Sequence, residues 1–105
     1  VRIKQGVDLT GLVPQMCVAS QVAEHVYVMY GSEVVITSGN DSEHRDGSQH
    51  YEGKALDIRT KHLHVTRKVK QSIADNIANR LGDQYFILFH RIGTPNEHIH
   101  MGWRG

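Results

Sequence analysis

The chain has 105 residues, enough for one domain that buries roughly two-thirds of the surface its unfolded form exposes, so one core suffices. Twelve Lys and Arg nearly cancel eleven Asp and Glu, which excludes a field strong enough to gather nucleic acid or an anionic membrane. A lone Cys17 excludes an internal disulfide framework and a thiolate metal cluster, and it reads as a packing residue.

No apolar run approaches the roughly 18 residues needed to cross a bilayer, and the first residues, VRIKQGVDL, do not read as a signal peptide. Apolar residues at 12, 16, 19, 23, 26, 27 and 30 predict a helix over Leu12 to Tyr30, with Pro14 in its first turn and Gly31 as its stop. EVVITSG, 33–39, is β-branched and bounded by glycines, hence a strand. Residues 39–49 are turn formers and charges, an exposed loop.

KALDIR, 54–59, alternates, setting Ala55, Asp57 and Arg59 on one face and Leu56 and Ile58 on the core face. From Thr66, Val69, Ile73, Ile77 and Leu81 recur every four residues to Gly82, predicting a second helix despite basic residues in its first turn. QYFILFH, 84–90, reads as a central strand, RIGTPN as a turn, and EHIHMGW, 97–103, as a last strand with His98 and His100 on its polar face. The order α-β-β-α-β-β describes a single α+β domain over residues 1–105: a small antiparallel sheet with two helices, expected to act as a monomer.

Eight histidines are many for this length, and their spacing carries chemistry. Zinc favours imidazole and carboxylate ligands, and a catalytic site leaves one position open. His50, Asp57 and one of the last two histidines would supply three ligands. Seven positions separate His50 from Asp57, so a straight strand would aim them at opposite faces, and Gly53 is where the chain must bend. Glu97, beside such a site, would suit a general base if the strand entry after Pro95 twists it toward the histidines.

His62 and His64 form another H-x-H without a nearby carboxylate and read as exposed loop residues. Asp41, Glu43 and Asp46 match no complete calcium loop and read as a solvated turn. Tyr51 and Trp103 could line a substrate groove, and Ser48 lacks a relay to make it a nucleophile, leaving it a hydrogen-bonding role.

Ser48, His50, Gly53, Ala55 and Asp57 spell S-x-H-x-x-G-x-A-x-D, followed by a late H-x-H. This order resembles the zinc D-Ala-D-Ala metallopeptidase and Hedgehog-like superfamily over residues 34–102, about two-thirds of the chain. The resemblance implies one Zn2+ per chain held by His50, Asp57 and His100, with Glu97 as base and His98 as an additional catalytic histidine. It implies hydrolysis of amide bonds in peptidoglycan stem or cross-bridge peptides, as in bacterial cell-wall carboxypeptidases, endopeptidases or phage endolysins. Where many such peptidases carry S-G-Y-R-S, this chain reads SGNDS, with Asp41 at the arginine position. Arg45 or His98 is the expected substitute. HYEGKALDI is also close to the Hedgehog signalling-domain form, which implies the alternative of a zinc-containing binding module without peptidase activity.

Overall fold

The computed structural model describes residues 1–39 and 52–105. Its elements are β1 (Arg2–Ile3), α1 (Pro14–Met29), β2 (Val35–Ser38), β3 (Ala55–Arg59), α2 (Arg67–Leu81), β4 (Tyr85–His90) and β5 (His98–Trp103). The five strands form one sheet in the order β1-β2-β3-β5-β4. Pairing is antiparallel except between β1 and β2, which run parallel, so the sheet is mixed where a purely antiparallel one was expected. The difference arises from β1, two exposed residues with too little pattern to announce a strand.

Both helices carry the predicted stripes. Met16, Ala19, Ala23, Val26 and Tyr27 are the buried residues of α1, and Ile73, Ala74 and Ile77 those of α2. They close over one face of the sheet against Leu56, Ile58, Ile99 and Met101, which form the core with them. Pro14 sits in the first turn of α1, where its missing N–H costs no helical hydrogen bond. Thr66 caps α2, its side chain accepting from the Val69 N–H at 3.2 Å.

Two expectations are corrected. Cys17 is exposed rather than packed: the α1 stripe that buries Met16 and Ala19 turns position 17 outward. Tyr85–His90 is an edge strand, paired only with β5. Its apolar run divides by face, with Phe89 buried on the helix side and Leu88 40% exposed on the other.

Candidate functional site

The site stands on the sheet face opposite the helices, where β3 and β5 lie side by side. Register pairs Asp57 with His100 and Arg59 with His98. Because alternate residues share a face, burying Leu56 and Ile58 in one strand and Ile99 and Met101 in the other turns Asp57, Arg59, His98 and His100 outward together. His100 Nδ1 lies 3.1 Å from Asp57 Oδ1, and His98 Nε2 lies 3.7 Å from the same oxygen. The Phe86 ring of β4 meets His100 edge-on at 5.9 Å between centroids, and His98 Nδ1 sits 2.6 Å from the Asn96 carbonyl. Both imidazoles are thereby given defined orientations.

Gly53 turns the chain ahead of β3. Its φ of +72° is one that side-chain-bearing residues rarely adopt, and a Cβ there would collide with the Gly11 carbonyl. Its own carbonyl accepts from the Val13 N–H at 3.0 Å. Glycine is therefore demanded twice, by backbone conformation and by the close approach of the segment before α1.

Glu97 is placed differently from its neighbours. It precedes β5, and its carboxylate meets Lys70 of α2 while the residue lines one recess together with Asp57 and His98. Lys70 Nζ donates to Oε1 at 2.7 Å, the Thr60 hydroxyl donates to Oε1 at 2.6 Å, and the Gly93 N–H donates to Oε2 at 2.9 Å. Burial, the largest influence, pushes the carboxyl pKa up, but these hydrogen bonds and the Lys70 charge outweigh it and hold the pKa at about 2.

The same carboxylate fixes the turn between β4 and β5. Arg91 opens that turn at φ +56°, uncommon for a residue with a side chain. Its carbonyl accepts from the Thr94 N–H at 3.1 Å and from the Thr94 hydroxyl at 2.7 Å. Glu97 then bonds Gly93 within the turn. Beneath it, the buried Tyr27 hydroxyl donates to the Arg59 carbonyl at 2.7 Å, and burial with the nearby Glu97 charge drives its pKa upward, keeping the phenol neutral.

Trp103 packs against the core on the helix side, with Lys54 Nζ 5.7 Å from its ring, away from Asp57 and the two histidines. Of the H-x-H at 62–64, His64 is exposed as expected, while His62 is half-buried and places Nε2 2.7 Å from the Glu33 carbonyl, pinning the loop before α2. His50, Ser48, Arg45 and Tyr51 lie outside the described residues, as do Asp41, Glu43 and Asp46.

Among the described residues, no three of His, Cys, Asp and Glu make a group that could hold a metal ion. Asp57 and His100 nevertheless have the donor chemistry that zinc takes, one carboxylate and one imidazole side by side at the surface of a rigid strand pair. A metal would need a third ligand, and the chain's own candidate, His50, lies outside the described residues. The two described members fit the expected set.

Sequence reasoning did not find Lys70 and Thr60 as partners of Glu97. The signal for Lys70 was the run of basic residues in the first turn of α2, where the helix dipole disfavours positive charge. No family model, curated protein or solved structure matches the chain.

Proposed function

We propose that this domain is a zinc-dependent hydrolase acting on amide bonds of peptidoglycan peptides, with a fold of the Hedgehog and D-Ala-D-Ala peptidase type. The observation that carries it is the pairing of Asp57 with His100 at 3.1 Å on the open sheet face, in a chain whose S-x-H-x-x-G-x-A-x-D motif bends at Gly53. Asp57, His100 and His50 are the proposed ligands. Zinc bound there would supply a Lewis acid for the scissile carbonyl and acidify a water molecule.

The chain's own groups divide the remaining work. His98, 3.7 Å from Asp57 and on its face, is the described side chain suited to take up a proton and return it to the leaving amine. The Lys70 ammonium and the Thr60 and Gly93 donors hold the Glu97 carboxyl well below the usual glutamate range and occupy both of its oxygens. Its three donors suit it to positioning: it holds the turn before β5 and, through that turn, the entry of His98 and His100. In this assignment Glu97 acts through the histidines rather than on substrate.

The same occupied carboxylate favours a second reading, a Hedgehog-like binding module in which zinc orders a recognition surface and no base is required. One experiment separates the two. Zinc-loaded protein, a chelated sample and the His98→Ala variant are incubated with purified peptidoglycan, and new amino groups are measured beside zinc content by elemental analysis. Release that requires both zinc and His98 is the expected result. Stoichiometric zinc with no release would overturn the hydrolase and leave the binding module; zinc retained in full by both Asp57→Asn and His100→Ala would refute the ligand set.

A further inference from the structure

The direction in which each backbone group of β4 points follows from its neighbours. The Arg104 N–H donates to the Gln84 carbonyl at 2.7 Å, and the register that pairs Tyr85 with Trp103 sets these two residues directly opposite. Opposite residues bond one another only in every second antiparallel pair. Phe86, Leu88 and His90 therefore bond β5, while Tyr85, Ile87 and Phe89 turn their N–H and carbonyl groups away from the sheet. The Trp103 N–H, donating to the Lys54 carbonyl at 2.8 Å on the other side of β5, fixes the same phase independently.

Tyr85 is already supplied: its N–H donates to the Gly82 carbonyl at 3.2 Å, and its carbonyl accepts from Arg104 Nε at 3.4 Å. Among the described residues, the outward groups of Ile87 and Phe89 have no such partners. The strand closes after His90, where Arg91 leaves the extended conformation at φ +56°. Edges of soluble sheets are ordinarily guarded by a charge, a proline or a bulge. Tyr85–His90 reads YFILFH and pairs with β5 in unbroken register, so it carries none of the three.

This edge is palindromic about Leu88. With a two-fold axis at that residue, Ile87 of one copy stands opposite Phe89 of the other, and each supplies the donor and the acceptor that the other lacks. An axis at Ile87 would set Phe89 against Tyr85, whose N–H is spent, and an axis at Phe89 would set Ile87 against Arg91, where the strand has ended. Only the Leu88 register uses all the outward groups. It sets no charge against a like charge, because β4 has no Asp, Glu, Lys or Arg. It also covers Leu88, 40% exposed on the open face, whereas Phe89 is already buried on the helix side.

We propose that β4 is a self-association edge: two copies of this chain pair antiparallel through Ile87 and Phe89, with their Leu88 side chains in contact across the axis, and join their five-stranded sheets into one. The dimer stands in place of the monomer expected from the sequence, and it depends on neither zinc nor hydrolysis. Three strand spacings, about 14 Å, then separate the two β5 strands, and both His98–His100 rows lie on one continuous open face. A polymer of repeating units would meet two candidate sites at once, the second at the raised local concentration that linkage gives.

The test is sedimentation equilibrium of the full chain, parent and Leu88→Lys, from micromolar to high micromolar concentration. An interface of a few backbone bonds and one apolar pair is small, so the parent dimer is expected to dissociate within that range. Leu88→Lys sets two ammonium groups together at the axis and should weaken association about 10-fold or more. Cross-linking gives a readout that does not depend on that variant. In a Cys17→Ser background, Leu88→Cys should form an intermolecular disulfide under mild oxidation, since opposite residues that do not bond one another hold their Cα atoms about 4.5 Å apart. Phe86→Cys and His90→Cys should each fail to cross-link alone and should cross-link to one another when mixed, because this register sets them opposite.

A parent protein that stays monomeric throughout the range would overturn the proposal. A dimer indifferent to Leu88→Lys and not trapped by Leu88→Cys would overturn it equally, placing the contact elsewhere, as on the exposed Val18 and Met29 of α1. Self-cross-linking of Phe86→Cys in preference to Leu88→Cys would refute the register and the proposal with it.

Discussion

Replacing Glu97 tests the positioning role most directly. Its ion pair with Lys70 spans 2.7 Å, with side chains only 7% and 13% exposed, so solvent screens it little. The folded carboxyl titrates at about 2 against an ordinary 4.5, and the unfolded chain therefore binds more protons between those values. Stability from this group is fully present above about pH 4.5 and is lost as pH falls toward 2, amounting to about 3 kcal/mol at neutral pH. Glu97→Gln removes that dependence and leaves the Lys70 ammonium buried without its partner. The expected cost at pH 7 is about 2–3 kcal/mol, or a Tm lower by roughly 10 °C or more. Lys70→Met should be costly for the complementary reason, and the double variant should recover at least ~1 kcal/mol of the summed loss, the sign of a coupled pair. Urea unfolding of the four proteins at pH 7, repeated down to pH 2.5, measures all of this. A Glu97→Gln variant within ~0.5 kcal/mol of the parent, with no coupling to Lys70, would refute the clamp.

Activity separates the two roles of Glu97: as a clamp, Lys70→Met and Glu97→Gln both lower peptidoglycan amine release, whereas a base freed from Lys70 would raise it. Gly53→Ala should cost more than ~2 kcal/mol and weaken zinc retention, because the added methyl meets the Gly11 carbonyl at a left-handed φ; unfolding midpoints and zinc content report both effects. Thr66→Ala, which removes the cap of α2, should lower stability by about 1 kcal/mol in urea unfolding. Cys17 should be alkylated to completion in the native protein with no change in unfolding midpoint, a point that mass spectrometry settles.

Much of the architecture was legible because burial has a period. The every-fourth-residue stripe of α2 and the alternation in KALDIR and EHIHMGW each predicted the face that the structure buries. The same alternation brought Asp57 and His100 to one face before their 3.1 Å separation was known. What escaped was set by partners remote in sequence. Nothing local distinguishes a central apolar strand from an edge strand such as β4, since both are read from composition and only pairing separates them. The partners of Glu97 were out of sight because its three donors come from β3's end, α2 and the turn before it.

The contact between Gly53 and Gly11 has a bearing on how the domain is cut and joined. Residues 1–13 are anchored at both ends of the sheet's first half: Arg2 N–H donates to the Val34 carbonyl, Lys4 N–H to Ile36, and Val13 N–H to Gly53. The turn at Gly53, directly ahead of the strand that carries Asp57, is thus braced by residues 1–13. Trimming that stretch, or fusing another protein into it, would loosen the entry to β3 and shift Asp57 against His100 without touching either residue, so boundaries chosen for expression are themselves a variable of the site.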